Sequence, residues 1–213
     1  VKRFDRPLVI LVHGLWMTGV EMGLLARRLR AAGFCTRAFR YVSVIRDVPQ
    51  HAARLADFLR KVDGPQIHFI GHSMGGLLVQ HALYEFKGAR IGRVVALGTP
   101  FGGSWAARQI LQYGWLRPIL GKPGQSLASG SGQTWGHLPE LGIIAGELSF
   151  GSGKLLGEMP QPNDGTVTVE ETRCKGAKAH LTLRVTHYGL LFSPKAAAQA
   201  IHFLNNGTFA TEV

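Results

Sequence analysis

Gly71-His72-Ser73-Met74-Gly75 is the segment whose residue types and spacing most clearly suggest chemistry. It fits G-x-S-x-G and lies between an apolar run, Gln66 to Gly71, and a helical stretch from about Met74 to Phe86. A strand that turns straight into a helix holds its corner residue in a strained backbone conformation. Gly71 and Gly75 let the chain pass close to its neighbours while Ser73 Oγ projects outward. The helix start supplies free N–H groups and positive potential, which favour an anion formed at that point. This is the setting of an activated serine nucleophile. Two rival serines fit less well. Gly124-Gln125-Ser126-Leu127-Ala128 resembles the motif but has no strand before it, and Ser104 lacks the trailing glycine. Gly151-Ser152-Gly153-Lys154 lacks the spacing and the following hydroxyl of a phosphate loop and reads as a plain loop.

Such a serine has to be positioned by regular elements, and the chain alternates strand and helix signals. Leu8 to Val12 reads as a fully buried strand. Val20 to Ala32 is an amphipathic helix stopped by Gly33, with Leu24, Leu25 and Leu29 on one face. Thr36 to Val44 is strand-like, Pro49 to Val62 helical, Gln66 to Gly71 a strand, and Arg93 to Leu97 another. Ile143 to Leu148 and Leu181 to Thr186 read as two more strands, and Pro194 to Asn205 as a closing helix. Alternation of this kind implies parallel pairing with right-handed crossovers, hence an α/β fold of three layers with helices on both sheet faces. No internal repeat and no convincing boundary divides residues 1–213, so a single domain is expected. Residues 101–139 break the rhythm. Trp105, Ile110, Leu111, Trp115, Leu116, Ile119 and Leu120 make an apolar, partly helical stretch, and a Gly- and Ser-rich segment follows. This insert reads as a cap over a site or as an ordinary core helix with an exposed loop, and helical spacing alone does not choose.

The 213 residues are 46% hydrophobic, enough for a substantial core, and no apolar run approaches a bilayer span. Lys and Arg outnumber Asp and Glu by 24 to 13, a formal charge of +11. The basic residues are scattered without an aromatic-studded stripe, which argues against nucleic acid. An anionic membrane surface or acyl substrate would use the charge better, and solubility alone would also account for it. Cys35 and Cys174 provide neither a disulfide framework nor a zinc spacing. They read as two free thiols, with one long-range bridge as the alternative.

The chain resembles the α/β-hydrolase superfamily, and within it the compact bacterial serine esterases and lipases. The resemblance rests on His13-Gly14 after the first strand, Gly71 to Gly76 at the elbow, Gly98-Thr99-Pro100 with Gly103-Ser104, Asn163-Asp164-Gly165-Thr166-Val167, and Thr186-His187-Tyr188-Gly189. It implies a catalytic triad in the order Ser73, Asp164, His187. The acid also follows by elimination, because of five aspartates only Asp164 lies after the serine. Asp164 sits in a Pro-Asn-Asp-Gly turn before Thr166 to Val169; an Asx-turn role is its bland alternative, and Glu170 and Glu171 are the fallback acids. Of nine histidines, His187 lies in a loop at the expected sheet edge. His68, His81, His180 and His202 fall in or beside regular elements, and His72 reads as packing or orienting the elbow. The resemblance further implies an oxyanion hole from the backbone N–H groups of Leu15 and Met74, with His13 and Gly14 supporting the loop; a plain strand-end turn is the alternative for His13-Gly14. Trp16, Phe101, Trp105 and Trp115 are the candidate pocket and cap residues.

These features imply a carboxylic-ester hydrolase acting through an acyl-enzyme on an acyl ester or lipid, with no metal and no cofactor. The same triad would also serve a thioesterase, amidase or acyltransferase, since it sets acyl transfer and not the leaving group. A non-catalytic module docking an anionic membrane is the reading from another class. Oligomeric state and compartment are open. A cytoplasmic or membrane-peripheral location is slightly favoured, and secretion stays open because the chain begins at Val and a leader could have preceded it.

Overall fold

The computed structural model describes residues 2–86, 88, 90–149 and 157–211. The order of elements begins β1 (Lys2–Arg3), β2 (Leu8–Val12), α1 (Gly23–Ala31), β3 (Cys35–Phe39), α2 (Val48–Arg60), β4 (Val62–Asp63), β5 (Ile67–His72), α3 (Met74–Glu85) and β6 (Ile91–Leu97). It continues with α4 (Trp105–Gln112), α5 (Arg117–Leu120), α6 (Gly124–Ser129), β7 (Leu141–Gly146), β8 (Ala179–Leu183), α7 (Gly189–Phe192) and α8 (Pro194–Asn206). The Gly151 to Lys154 segment lies outside the described residues.

Six parallel strands form the sheet in the order β3-β2-β5-β6-β7-β8. The chain runs from β2 outward to β3, then returns to the other side of β2 and proceeds outward through β5 to β8. The strand order therefore reverses between β2 and β5. At such a switch point the loops leaving the carboxyl ends of the two strands diverge and leave a crevice. His13 follows one of these ends and Ser73 the other.

Each central strand is buried on both faces, which explains its continuous apolar run. Leu8, Ile10 and Val12 pack on one side with Leu55 and Leu59 of α2 and Leu77 and Leu78 of α3. Val9 and Leu11 pack on the other with Leu25 and Leu29 of α1 and Phe203 of α8. The helices have identifiable ends. Asp47 accepts from Gln50 N while Gln50 closes a capping box, and Pro49 lies in the first turn of α2. Ser193 caps α8, which stops at Gly207 with φ +76°.

Several boundaries differ from expectation. β3 ends at Phe39, and Tyr41 to Val44 turn away from the sheet to line a separate concavity beside the loop after β2. Val62 leaves α2 and joins Asp63 in a two-stranded pair with β1. β7 and β8 begin and end earlier than the apolar runs suggest. The Gly- and Ser-rich part of the insert is not only loop, since α6 forms there and buries Leu127 and Ala128. Cys35 and Cys174 are unbridged. Among the described residues no helix is long and apolar enough to cross a membrane.

Candidate active site

Ser73 occupies the corner between β5 and α3 with φ +53° and ψ −128°, one of two non-glycine residues at positive φ among the described residues. The glycines around it are required by contact. A Cβ on Gly75 would lie 2.1 Å from Val12 O and 2.7 Å from His13 O, and one on Gly71 would lie 2.6 Å from Gly76 Cα. Real side chains cannot occupy these positions without moving backbone, so α3 can start this close to β2 only because they are glycine. The loop after β2 is equally close, since a Cβ on Gly14 would meet Ser73 Cβ at 2.9 Å.

His187 follows β8, and its Nδ1 lies 2.7 Å from Asp164 Oδ2. A carboxylate only accepts, so Nδ1 carries the proton and Nε2 keeps its lone pair. Asp164 is held from both ends. Its Oδ1 accepts from Thr166 N at 3.0 Å and Val167 N at 2.8 Å, and its carbonyl accepts from His187 N at 2.9 Å. Residues 166–169 consequently form no strand. The N–H groups of Thr166, Val167 and Thr168 go to side-chain carboxylates, Thr168 N to Glu171 Oε2 at 2.8 Å, Val169 N donates to Pro162 O at 2.9 Å, and one isolated bridge joins Asn163 to Thr168.

Glu171, a fallback acid, does not reach His187. Its buried carboxylate accepts from Trp105 N and from Arg108 Nη2 at 3.2 Å, tying the start of α4 to the acid loop. Glu170 is exposed and paired with Arg173.

Five other histidines have partners of their own. His72 Nε2 donates to the His187 carbonyl at 3.0 Å, and burial together with the nearby His187 pushes its pKa down to about 3. His68 accepts from Arg93 N at 2.9 Å, and burial and the Arg93 charge push it to about 4. His180 donates to Thr172 Oγ1, and His202 to Thr208 O. His13 is buried, is stacked on Tyr41 with centroids 4.2 Å apart, and has its carbonyl bound by Tyr41 Oη at 2.6 Å. Burial lowers the His13 pKa and leaves a neutral ring whose Nδ1 donates to Gly14 O. Tyr41 was not legible as part of this site, because its contact with His13 spans 28 residues and depends on the turn after β3.

Ser73, His187, His72, Gly14, Leu15 and Trp16 line one cleft of about 200 Å³. Its far wall comes from the insert, through Ala107, Ile110, Ile119, Leu120 and Leu127. Met74 N–H, at the first turn of α3, has no acceptor four residues earlier within its helix. Trp16, at φ +57°, donates from Nε1 to Ile119 O at 2.6 Å and so joins the loop after β2 to the insert.

The other aromatic candidates lie elsewhere. Phe101 is buried edge-on against Trp135 in the core, Trp105 is fastened at Glu171 outside the cleft lining, and Trp115 is 79% exposed. Helical spacing identified an apolar insert but not which of its side chains point inward. Tyr188, Ile119 and Met17 line the cleft instead. Among the described residues no cluster of three or more His, Cys, Asp or Glu could hold a metal ion.

Residues 9–198 match the family model described as the alpha/beta hydrolase family. The chain is similar in structure to a lipase of Bacillus licheniformis in its mature form, with a TM-score of 0.78 and 22% identity over 96% of this chain and 93% of that one. It is similar to a metagenomic carboxyl esterase, with a TM-score of 0.67 and 19% identity over 86% and 65% of the two chains. A lipase-esterase related protein of Clostridium acetobutylicum gives a TM-score of 0.63 and 14% identity over 95% and 94%. No curated protein sequence matches significantly. At these identities the structural likeness speaks for the fold alone.

Proposed function

The chain belongs to the alpha/beta hydrolase family, and on that premise we propose that it is a serine carboxylic-ester hydrolase of esterase or lipase type. The observation that carries this reading is the buried Asp164–His187 hydrogen bond, which leaves the imidazole's Nε2 free at the same cleft wall as the strained Ser73.

In the proposed reaction Ser73 Oγ attacks the acyl carbonyl and its proton passes to His187 Nε2. Asp164 keeps the imidazole in the Nδ1–H tautomer and stabilises the imidazolium. Charge developing on the carbonyl oxygen is received by the N–H groups of Leu15 and Met74, which the elbow and the loop after β2 hold in place before reaction. His187 returns the proton to the leaving alcohol. Water, deprotonated by His187, then attacks the acyl-enzyme, and the carboxylic acid leaves as the proton returns to Ser73 Oγ. Residues 1–213 act as one unit in this reading, with residues 101–139 as a cap whose apolar wall receives the acyl chain.

The test is a burst assay with short- and long-chain p-nitrophenyl esters on the wild type and Ser73→Ala, with mass detection of the adduct. A burst and an acyl adduct, both lost in Ser73→Ala, are expected. Folded protein silent on every ester would overturn the reading. Matched ester, thioester and amide substrates then separate an esterase from the other acyl transfers that the triad permits.

A further inference from the structure

Next to the cleft lies a second concavity of about 690 Å³, and the two share Trp16 and Met17 as a common wall. Its lining includes three arginines, Arg40, Arg46 and Arg54, and no acidic residue. None of the three is in an ion pair among the described residues. The nearby carboxylates are already engaged. Asp47 accepts from Gln50 N at the start of α2, and Glu21 accepts from Thr18 N and Gly19 N. The concavity is thus a positively charged recess that adjoins the cleft lined by Ser73 and His187.

The floor beneath it is also organised. Tyr41 lines the recess, meets the ring of buried His51 edge-on at 4.6 Å, and binds the His13 carbonyl ahead of Gly14 and Leu15. Burial first, and then the charges of Arg54 and Arg46, push His51 down to about 4 against the opposing charge of Asp47. Arginine forks suit oxyanions with paired acceptor oxygens, and an anion there would supply the charge partner that the protein does not.

We propose that this recess is a subsite for an anionic substituent, a phosphate or carboxylate group, on the ester whose carbonyl is presented to Ser73 in the adjoining cleft. The inference rests on the serine esterase reading and narrows its substrate class to acyl esters that carry a negative charge. The apolar side chains at the rim, Val42 and Ile45, then border the uncharged part of the same substrate.

The test uses soluble butyryl esters below any aggregation limit. kcat/KM is measured for monobutyrin, for 1-butyryl-glycerol 3-phosphate and for butyryloxyacetate, with p-nitrophenyl butyrate as a check on the acyl chemistry itself. The wild type is expected to prefer at least one anionic ester over monobutyrin by about tenfold or more, the scale of one charge-assisted contact. Added salt should erode that preference. In Arg46→Gln/Arg54→Gln, whose folding is checked by its Tm, the ratio of anionic to neutral kcat/KM should fall towards one.

Turnover of p-nitrophenyl butyrate with equal kcat/KM on neutral and anionic esters would overturn the subsite while leaving the esterase reading standing. A preference that survives in the double variant would also overturn it. So would arginine-dependent binding to anionic phosphatidylglycerol vesicles without any preference among the soluble esters, which would assign the recess to a lipid surface. Silence on p-nitrophenyl butyrate by folded protein would bring down the esterase reading and the subsite together.

Discussion

His72, one residue before Ser73, donates through Nε2 to the backbone carbonyl of His187 at 3.0 Å. The corner of β5 is thereby fastened to the loop after β8, although the two are 115 residues apart and two strands, β6 and β7, lie between β5 and β8 in the sheet. With its pKa pushed down to about 3 by burial first and by His187 second, the ring is neutral at ordinary pH, and a carbonyl partner requires the Nε2–H tautomer.

His72→Phe removes this tether. The expected result is a kcat roughly tenfold lower with KM on a short ester little changed, and a loss of about 1–3 kcal/mol of stability from the unpaired buried carbonyl. His72→Gln, which can still donate, should recover part of kcat. Equal kcat in His72→Phe and the wild type would show that the bond does not position His187.

Asp164→Asn keeps the shape of the turn but replaces the acceptor that selects the Nδ1–H tautomer of His187. Ester hydrolysis should fall by about 10⁴-fold with the circular dichroism spectrum retained. A loss below tenfold would remove Asp164 from the proposed triad.

Stability should fall in mild acid. His51 and His68 have folded pKa values near 4 and His72 near 3, all below the ordinary 6.5, chiefly because they are buried. Below about pH 6.5 the unfolded chain takes up protons at these positions that the folded chain refuses, so the stabilisation present above that pH is lost as pH falls towards 4. Each group contributes a slope of at most about 1.4 kcal/mol per pH unit. Urea unfolding from pH 7.5 to 4.5 should show this decline, and His68→Gln should make it shallower. A flat profile would contradict the assignment of neutral buried rings.

The elbow glycines can be tested against a glycine that meets nothing. Gly75→Ala puts a Cβ 2.1 Å from the Val12 carbonyl oxygen, and it should cost about 3 kcal/mol or more and abolish activity by prising α3 from the loop after β2. Gly23→Ala, at the start of α1, has nothing within 4 Å of the added Cβ and should be neutral or raise stability by about 0.5 kcal/mol. Thermal melts of the two variants against the wild type give the comparison directly.

The legible parts of the fold were those whose burial is complete. Leu8 to Val12 and the apolar run of β5 are covered on both faces, so their sequences carry an uninterrupted signal. Where a side chain diverts the backbone, the signal misleads. Tyr41 to Val44 look like a continued β3 but leave the sheet, and Tyr41 instead holds the His13 carbonyl. After the Asp164 turn, Asp164 and Glu171 take the N–H groups of Thr166, Val167 and Thr168, so no ladder forms there. The aromatic residues of the insert were visible as apolar, but Phe101 packs on Trp135 and Trp115 faces solvent.

From sequence alone came the elbow around Ser73, because a strained corner admits few residue types and its glycines, strand and helix are all local. Strand alternation likewise determined the α/β class, since each helix must return across a sheet face. Only the tertiary structure decided which distant groups meet. Strand order sets the reversal between β2 and β5, the Asp164–His187 bond spans 23 residues, and the recess with Arg46 and Arg54 adjoins the cleft through Trp16 and Met17. These relationships arise from packing between elements far apart in the chain, where neither periodicity nor local backbone preference fixes distance or direction.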